Sequence, residues 1–194
     1  MMAEDLDKVF HSGKDTGEFR IKMQMDDKYE IIRNYISGKN VLDIGCTGGD
    51  PDAYTSERWM HGYIKKYSSY VIGLDLNENL IEHLYNPGNF LENVRRHMDR
   101  NSHLILVTPN PYRYSRIKDQ FIKGYVRNHV DHTCWFDPVT LSQLLDFHGF
   151  KVEVIYWTGY TERMVALLGN RIINRLCFKG VLAQDFVVVA KMKT

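Results

Sequence analysis

Cysteine is scarce in this chain, and the few present stand apart. Cys46, Cys134 and Cys177 are odd in number and widely separated, so they make neither a disulfide framework nor a metal-cluster spacing. A disulfide-stapled secreted fold is thereby disfavoured, and a reducing, cytoplasmic setting is expected. Charge of one sign is equally short: 25 basic residues against 24 acidic ones leave a formal net charge of +1. That balance gives no global case for nucleic acid or an acidic membrane. No apolar run approaches the roughly 20 residues that span a bilayer. The amino-terminal MMAEDLDKVFHSGKD has acids where a signal peptide wants bases, and it lacks an apolar core. Internal repeats and low-complexity tracts are absent.

What is there suits one soluble domain large enough to bury a core. Residues 1–24 are polar with isolated apolar side chains, Leu6, Val9, Phe10 and Phe19, and read as a frayed end or as a lid over a ligand. The remainder, 25–194, reads as a single domain. Asp26–Ser37 has a helical stripe of Tyr29, Ile32 and Ile36, with Gly38 as its stop. Next comes VLDIGCTGG, Val41–Gly49, a short apolar strand that runs through Asp43 into a glycine-rich turn. Glycine there permits positive φ and close approach of the backbone to a ligand. A nicotinamide fingerprint needs glycines at its first, third and sixth positions. Counting from Gly45, the third and sixth are Thr47 and Asp50, which disfavours a nicotinamide oxidoreductase.

Tyr54–Tyr67 follows as a helix with Trp59, Met60, Tyr63, Ile64 and Tyr67 at helical spacing, and Tyr70–Leu76 as a second strand closed by Asp75. A carboxylate at that strand end suits the paired hydroxyls of a ribose, since it accepts two hydrogen bonds at once. His103–Thr108 is a buried strand ended by Pro109, Asn110 and Pro111. Phe136–His148 reads as a helix with Asp137 as N-cap, Pro138 at its first position and Gly149 as its end. Val152–Trp157 and Phe186–Ala190 are the last two strands, with a helical rhythm of Met164, Leu167, Leu168, Ile172 and Leu176 between them.

Together the segments VLDIGCTGG, WMHGYIKKYSSYVIGLD, IEHLYNPGNFLENVRRHM, LILVTPNPY, HTCWFDPVTLSQLLDFHGFKV and FVVVAK resemble class I S-adenosylmethionine (SAM) methyltransferases, from about Met25 to Lys193. They are most similar to the small-molecule and glycan-pathway enzymes. The resemblance implies a three-layer, Rossmann-like, doubly wound α/β fold, with a mostly parallel sheet and an antiparallel C-terminal strand. It implies SAM as cofactor, held by Asp43, Gly45, Cys46, Gly48 and Gly49, with Asp75 on the ribose. Thr47 replaces the usual central glycine.

One departure is large. Only the six residues Leu76 to Ile81 separate Asp75 from Glu82, whereas a crossover between parallel strands takes a dozen or more. The chain therefore lacks the family's third strand and most of its fourth, including the adenine-facing acid. Either Tyr70–Leu76 stays second and leaves a gap beside the first strand, or it slides into the vacant central position. Unpaired backbone groups in a buried gap cost on the order of 1–3 kcal/mol each, which makes the second arrangement physically attractive.

Candidate bases are Glu82, His83 and His132, with His129 nearby in sequence. Some relatives hold a divalent ion through a glutamate, two residues, then glutamate–histidine; here the first position is Asn79, and no metal is assigned. After the TPN turn, Asn110, Tyr112, Arg113 and Arg116 are placed to hold an acceptor, with the arginines suited to an anionic group. The function expected is methyl transfer from SAM to a small-molecule or glycan-linked acceptor, with no nucleic-acid partner and no membrane span. The alternative is a catalytically silent binding or regulatory protein that has lost its adenine wall. An exposed sheet edge would favour a homodimer.

Overall fold

The structure is a computed structural model that describes residues 8–12, 16–23, 28–46, 53–55, 59–74, 81–126, 132–160 and 179–193. Its strands are β1 (Lys8–Ser12), β2 (Thr16–Met23), β3 (Asn40–Ile44), β4 (Tyr70–Leu74), β5 (Leu104–Pro109), β6 (Phe150–Thr158) and β7 (Asp185–Met192). The helices are α1 (Lys28–Ile36), α2 (Met60–Tyr67), α3 (Pro87–Arg96), α4 (Tyr114–Lys123), α5 (Pro138–Phe147) and the short α6 (Lys179–Leu182).

The strands form a five-stranded sheet in the order β1-β2-β6-β7-β5 and a separate two-stranded sheet of β3 and β4. β7 lies antiparallel between β5 and β6, so those two strands run the same way. β2 is parallel to β6, and β4 to β3. Lys39, at the start of β3, acts electrostatically on Asp99 and His103 just before β5, which puts the amino ends of β3 and β5 together. β2, β5 and β6 share one direction, opposed by β1 and β7, and β3 and β4, parallel to each other, start beside β5 and run with it, as expected for a mostly parallel sheet with an antiparallel C-terminal strand.

The core is built in layers. β7, whose run Phe186–Ala190 is fully buried, is the spine of a cluster that includes Leu104 and Leu106 of β5, Leu91 of α3, Leu141 and Leu145 of α5, and Phe150 and Ile155 of β6. On the other face Ile32, Ile36 and Ile64 of α1 and α2 cover Val41, Val71, Ile105 and Val107. One helix layer thus spans β3, β4 and β5, although among the described residues no strand joins β3 to β5.

That gap decides between the two arrangements read from the sequence. Tyr70–Leu74 stays beside β3, in register from Asn40↔Tyr70 to Ile44↔Leu74, and does not slide into the central position. The local reason is the crossover itself: β3, the turn and α2 return the chain to β3's outer edge, where a parallel partner satisfies β4 at once.

Other elements differ in extent. The helix expected over Tyr54–Tyr67 is a short turn at Ala53–Thr55 and then α2, which starts only at Met60. The amino-terminal segment contributes β1 and β2 to the sheet edge instead of standing wholly apart. Alternation of Phe19, Ile21 and Met23 with Arg20 and Lys22 is the strand period that a polar average conceals. Around α5 the expectation holds closely: Asp137 accepts from the Val139 and Thr140 amides, and Thr140 returns a bond to the Asp137 N–H, completing a capping box behind Pro138. The helical rhythm of residues 164–176 lies outside the described residues.

Candidate functional site

Two groups of side chains gather at the carboxyl ends of β3 and β5. The first begins at the turn after β3. Gly45 has φ of +86°, a left-handed conformation that a side chain would strain, and its N–H still donates to Leu74 O at 2.8 Å. Asp43 lies just before it, half-buried, and accepts from His61 Nδ1 at 2.8 Å. Because a carboxylate only accepts, His61 supplies the proton at that nitrogen. Trp59 Nε1 donates to the Cys46 carbonyl at 2.7 Å, and the Trp59 and His61 rings pack 5.2 Å apart. Gly73 makes this possible: a Cβ there would meet Cys46 Sγ and His61 Cε1, both at 2.8 Å. Asp43, Ile44, Gly45 and Cys46 form part of the wall of a cavity of about 1090 Å³ that reaches across to Thr108, Pro109 and Asp185.

The second group begins with Glu82, 2% exposed. Thr108 Oγ1 donates to its Oε2 at 3.1 Å, while Oε1 is buried without a hydrogen-bond partner. Burial raises the carboxyl from an ordinary 4.5 to about 6, against the lowering effect of its hydrogen bonds and of nearby Arg116. The Glu82 backbone carbonyl accepts from the Thr133 and Cys134 amides, which fixes the segment that carries His132. The His83 and His132 rings meet edge to face at 4.4 Å. One ligand atom from each of Glu82, His83 and His132 falls within 4.8 Å of the others. A carboxylate with two imidazoles is a donor set that divalent transition metals accept, but the Arg116 guanidinium beside Glu82 opposes a cation there.

The TPN turn is tied from within. Asn110 is fully buried; its Nδ2 donates to Gly180 O and Ala183 O, and its Oδ1 accepts from the Tyr112 amide. Arg116 donates to Asn110 O at 3.2 Å and stacks over Trp135 at 4.9 Å. Tyr112 is exposed, and Arg113 precedes α4 at its N-cap position. Arg116, Glu82, Thr108, His132 and Trp135 border a second space of only about 10 Å³.

No family model matches the chain, and no curated protein matches it. Among solved structures, it is similar to a SAM-dependent methyltransferase from Archaeoglobus fulgidus at 18% identity and a TM-score of 0.49, with 84% of this chain and 94% of that one covered. It is similar too to an S-adenosylmethionine-dependent methyltransferase from Mesorhizobium loti at 14% identity and a TM-score of 0.45, with 84% and 95% covered.

Asp43, Gly45 and Cys46 meet at one end of the large cavity, and Glu82, His83, His132 and Arg116 gather past β5. Thr108 and Pro109 border both spaces. Gly48, Gly49 and Asp75, with Thr47, Asn79 and His129, lie outside the described residues. Sequence reasoning missed His61, Trp59, Gly73, Thr108 and Trp135. For His61 the available signal was weak: a lone histidine on the first turn of a helix whose partner is set only by the β3–α2 crossover.

Proposed function

We propose that this chain is a SAM-dependent methyltransferase acting on a small-molecule or glycan-linked acceptor. The observation that carries the reading is the hollow over the glycine turn: a cavity wall formed by Asp43, the positive-φ Gly45 and Cys46 at the strands' carboxyl ends, where doubly wound folds place their ligands. The residues fit the amino-acid end of the cofactor, since Asp43 offers a carboxylate already oriented by His61. When bound, SAM supplies an electrophilic methyl group on a sulfonium. The protein's share is alignment, with proton removal where the acceptor keeps a proton.

Glu82, raised to about 6, is mostly ionised at pH 7 and can take that proton, with His83 and His132 beside it. Tyr112, Arg113 and Arg116 would border the acceptor and favour an anionic one, and Asn110 would hold their loop in place. Calorimetric titration with S-adenosylhomocysteine tests the reading. One saturable site that weakens in Asp43→Ala is expected; no heat at millimolar ligand overturns it.

A second reading has its own observation. Among the described residues no strand lies between β3 and β5, where the adenine wall of the methyltransferase family would begin. A protein that binds through this scaffold without transferring methyl groups would show weak cofactor binding and no labelled product from cell extract.

A further inference from the structure

The large cavity is more than a cofactor hollow, because two strand edges face each other across it. Among the described residues β3 pairs with β4 alone and β5 with β7 alone; Asn40 to Ile44 and Leu104 to Pro109 all border the cavity. The direction of their backbone groups follows from the bonds already made. Gly45 N–H points to Leu74 O, and Asn110 N–H to Gln184 O. Strand backbones alternate sides, so Leu42 and Ile44 turn their N–H and C=O away from β4, while Ile105 and Val107 turn theirs away from β7. Both rows aim into the same space.

The walls above and below that space carry apolar side chains beside polar ones such as Tyr35, His97 and Asn101. Ile32, Ile36 and Ile64 border it from the α1–α2 layer, and Ile81, Phe90 and Val94 from the α3 side. A strand of six residues, about 20 Å long, about 4.8 Å wide and about 10 Å between layers, occupies roughly 950 Å³; the cavity holds about 1090 Å³. Two rows of backbone donors and acceptors along the strand edges are matched by another polypeptide backbone, while the turn at Gly45 and Cys46 lies past the strand end, where the cofactor is proposed.

We propose that the slot between β3 and β5 is an acceptor for a β-strand supplied by a partner polypeptide, running parallel to both edges. Burial on both faces requires an uninterrupted Val/Ile-type run, as in the central strands of parallel sheets. The slot's ends set the flanks. Lys39 borders the end where β3 and β5 begin; Asp43 and Asp185 border the end where they finish, with Lys28 3.9 Å from Asp185. An acidic residue before the run and a basic one after it complement that arrangement. The binding mode is strand addition at two edges at once, and it goes beyond the methyltransferase reading without depending on it.

Hydrogen exchange read by mass spectrometry on the full chain tests this. The probe is a synthetic ten-residue peptide with a glutamate, a central run of six valines and isoleucines, and a lysine; the control carries two prolines within the run. Slowed exchange in peptides covering 40–44 and 104–109 with the probe, and not with the control, is expected, and saturating S-adenosylhomocysteine alone should not reproduce it. Three results overturn the proposal: no added protection, equal protection by the proline control, or protection of both segments that rises with the chain's own concentration and leaves the probe without effect. The last would assign the slot to a second copy.

Discussion

A carboxyl group shut away from water is a pH-dependent element of stability, and Glu82 is the instance here. Its folded-state value of about 6 lies above the ordinary 4.5, so the folded chain binds that proton more tightly than the unfolded one. The favourable contribution is complete below about pH 4.5, fades as pH rises towards 6, and is gone above it. A shift of this size corresponds to at most about 2 kcal/mol. Glu82→Gln keeps an acceptor for Thr108 but cannot ionise. Urea melts should therefore show the variant gaining up to about 2 kcal/mol on the native chain between pH 4 and pH 8, and a parallel pH profile for the two proteins would remove this account. If Glu82 is the base of the proposed reaction, methyl transfer rises through about pH 6 in the native chain, and Glu82→Gln loses that limb. At Gly45, a left-handed residue, Gly45→Ala should cost about 1–2 kcal/mol from backbone strain. It should also weaken S-adenosylhomocysteine binding, which calorimetry beside a thermal melt would separate.

The elements differ in how plainly they announce themselves. The capping box of α5 is local, written in Asp137, Pro138 and Thr140, and the structure reproduces it. Asp137→Ala should cost about 1 kcal/mol, seen by circular dichroism as a melting temperature lower by roughly 2–4 °C. Asp137→Asn should recover most of it. The buried runs Leu104–Thr108 and Phe186–Ala190 were legible for the same kind of reason, as short apolar stretches bounded by turns. β1 and β2 were not, because their sheet partner β6 lies far along the chain and nothing local identifies it. The β3 end of the candidate site was half legible: a glycine turn marks itself, as at Gly45, whereas the His61–Asp43 bond exists only once α2 has packed beside β3. The position of β4 was decided by crossover geometry, which outweighed the cost of leaving a central gap.

At the scale of the whole molecule, the two-stranded sheet is covered on one face and bare on the other. Val41 and Val71 pack on α1 and α2, while Leu42, Ile72 and Leu74 remain 44%, 47% and 50% exposed. Adjacent apolar side chains of this kind mark a contact surface, and among the described residues β4 pairs with β3 alone beside them. Sedimentation velocity should show concentration-dependent association of the native chain that Ile72→Lys reduces, with little change in melting temperature; identical behaviour of the two proteins would remove this face from any self-contact.

The placement of β7 carries a consequence for assembly. The strand that binds β5 to β6 follows both of them in the chain. On the ribosome, those two neighbours emerge while their common partner is still being made, and only the helices can cover them meanwhile. Closure of the five-stranded sheet is thus a late event in biosynthesis, and a nascent chain halted before Asp185 would expose two aliphatic ribbons to chaperones or to each other.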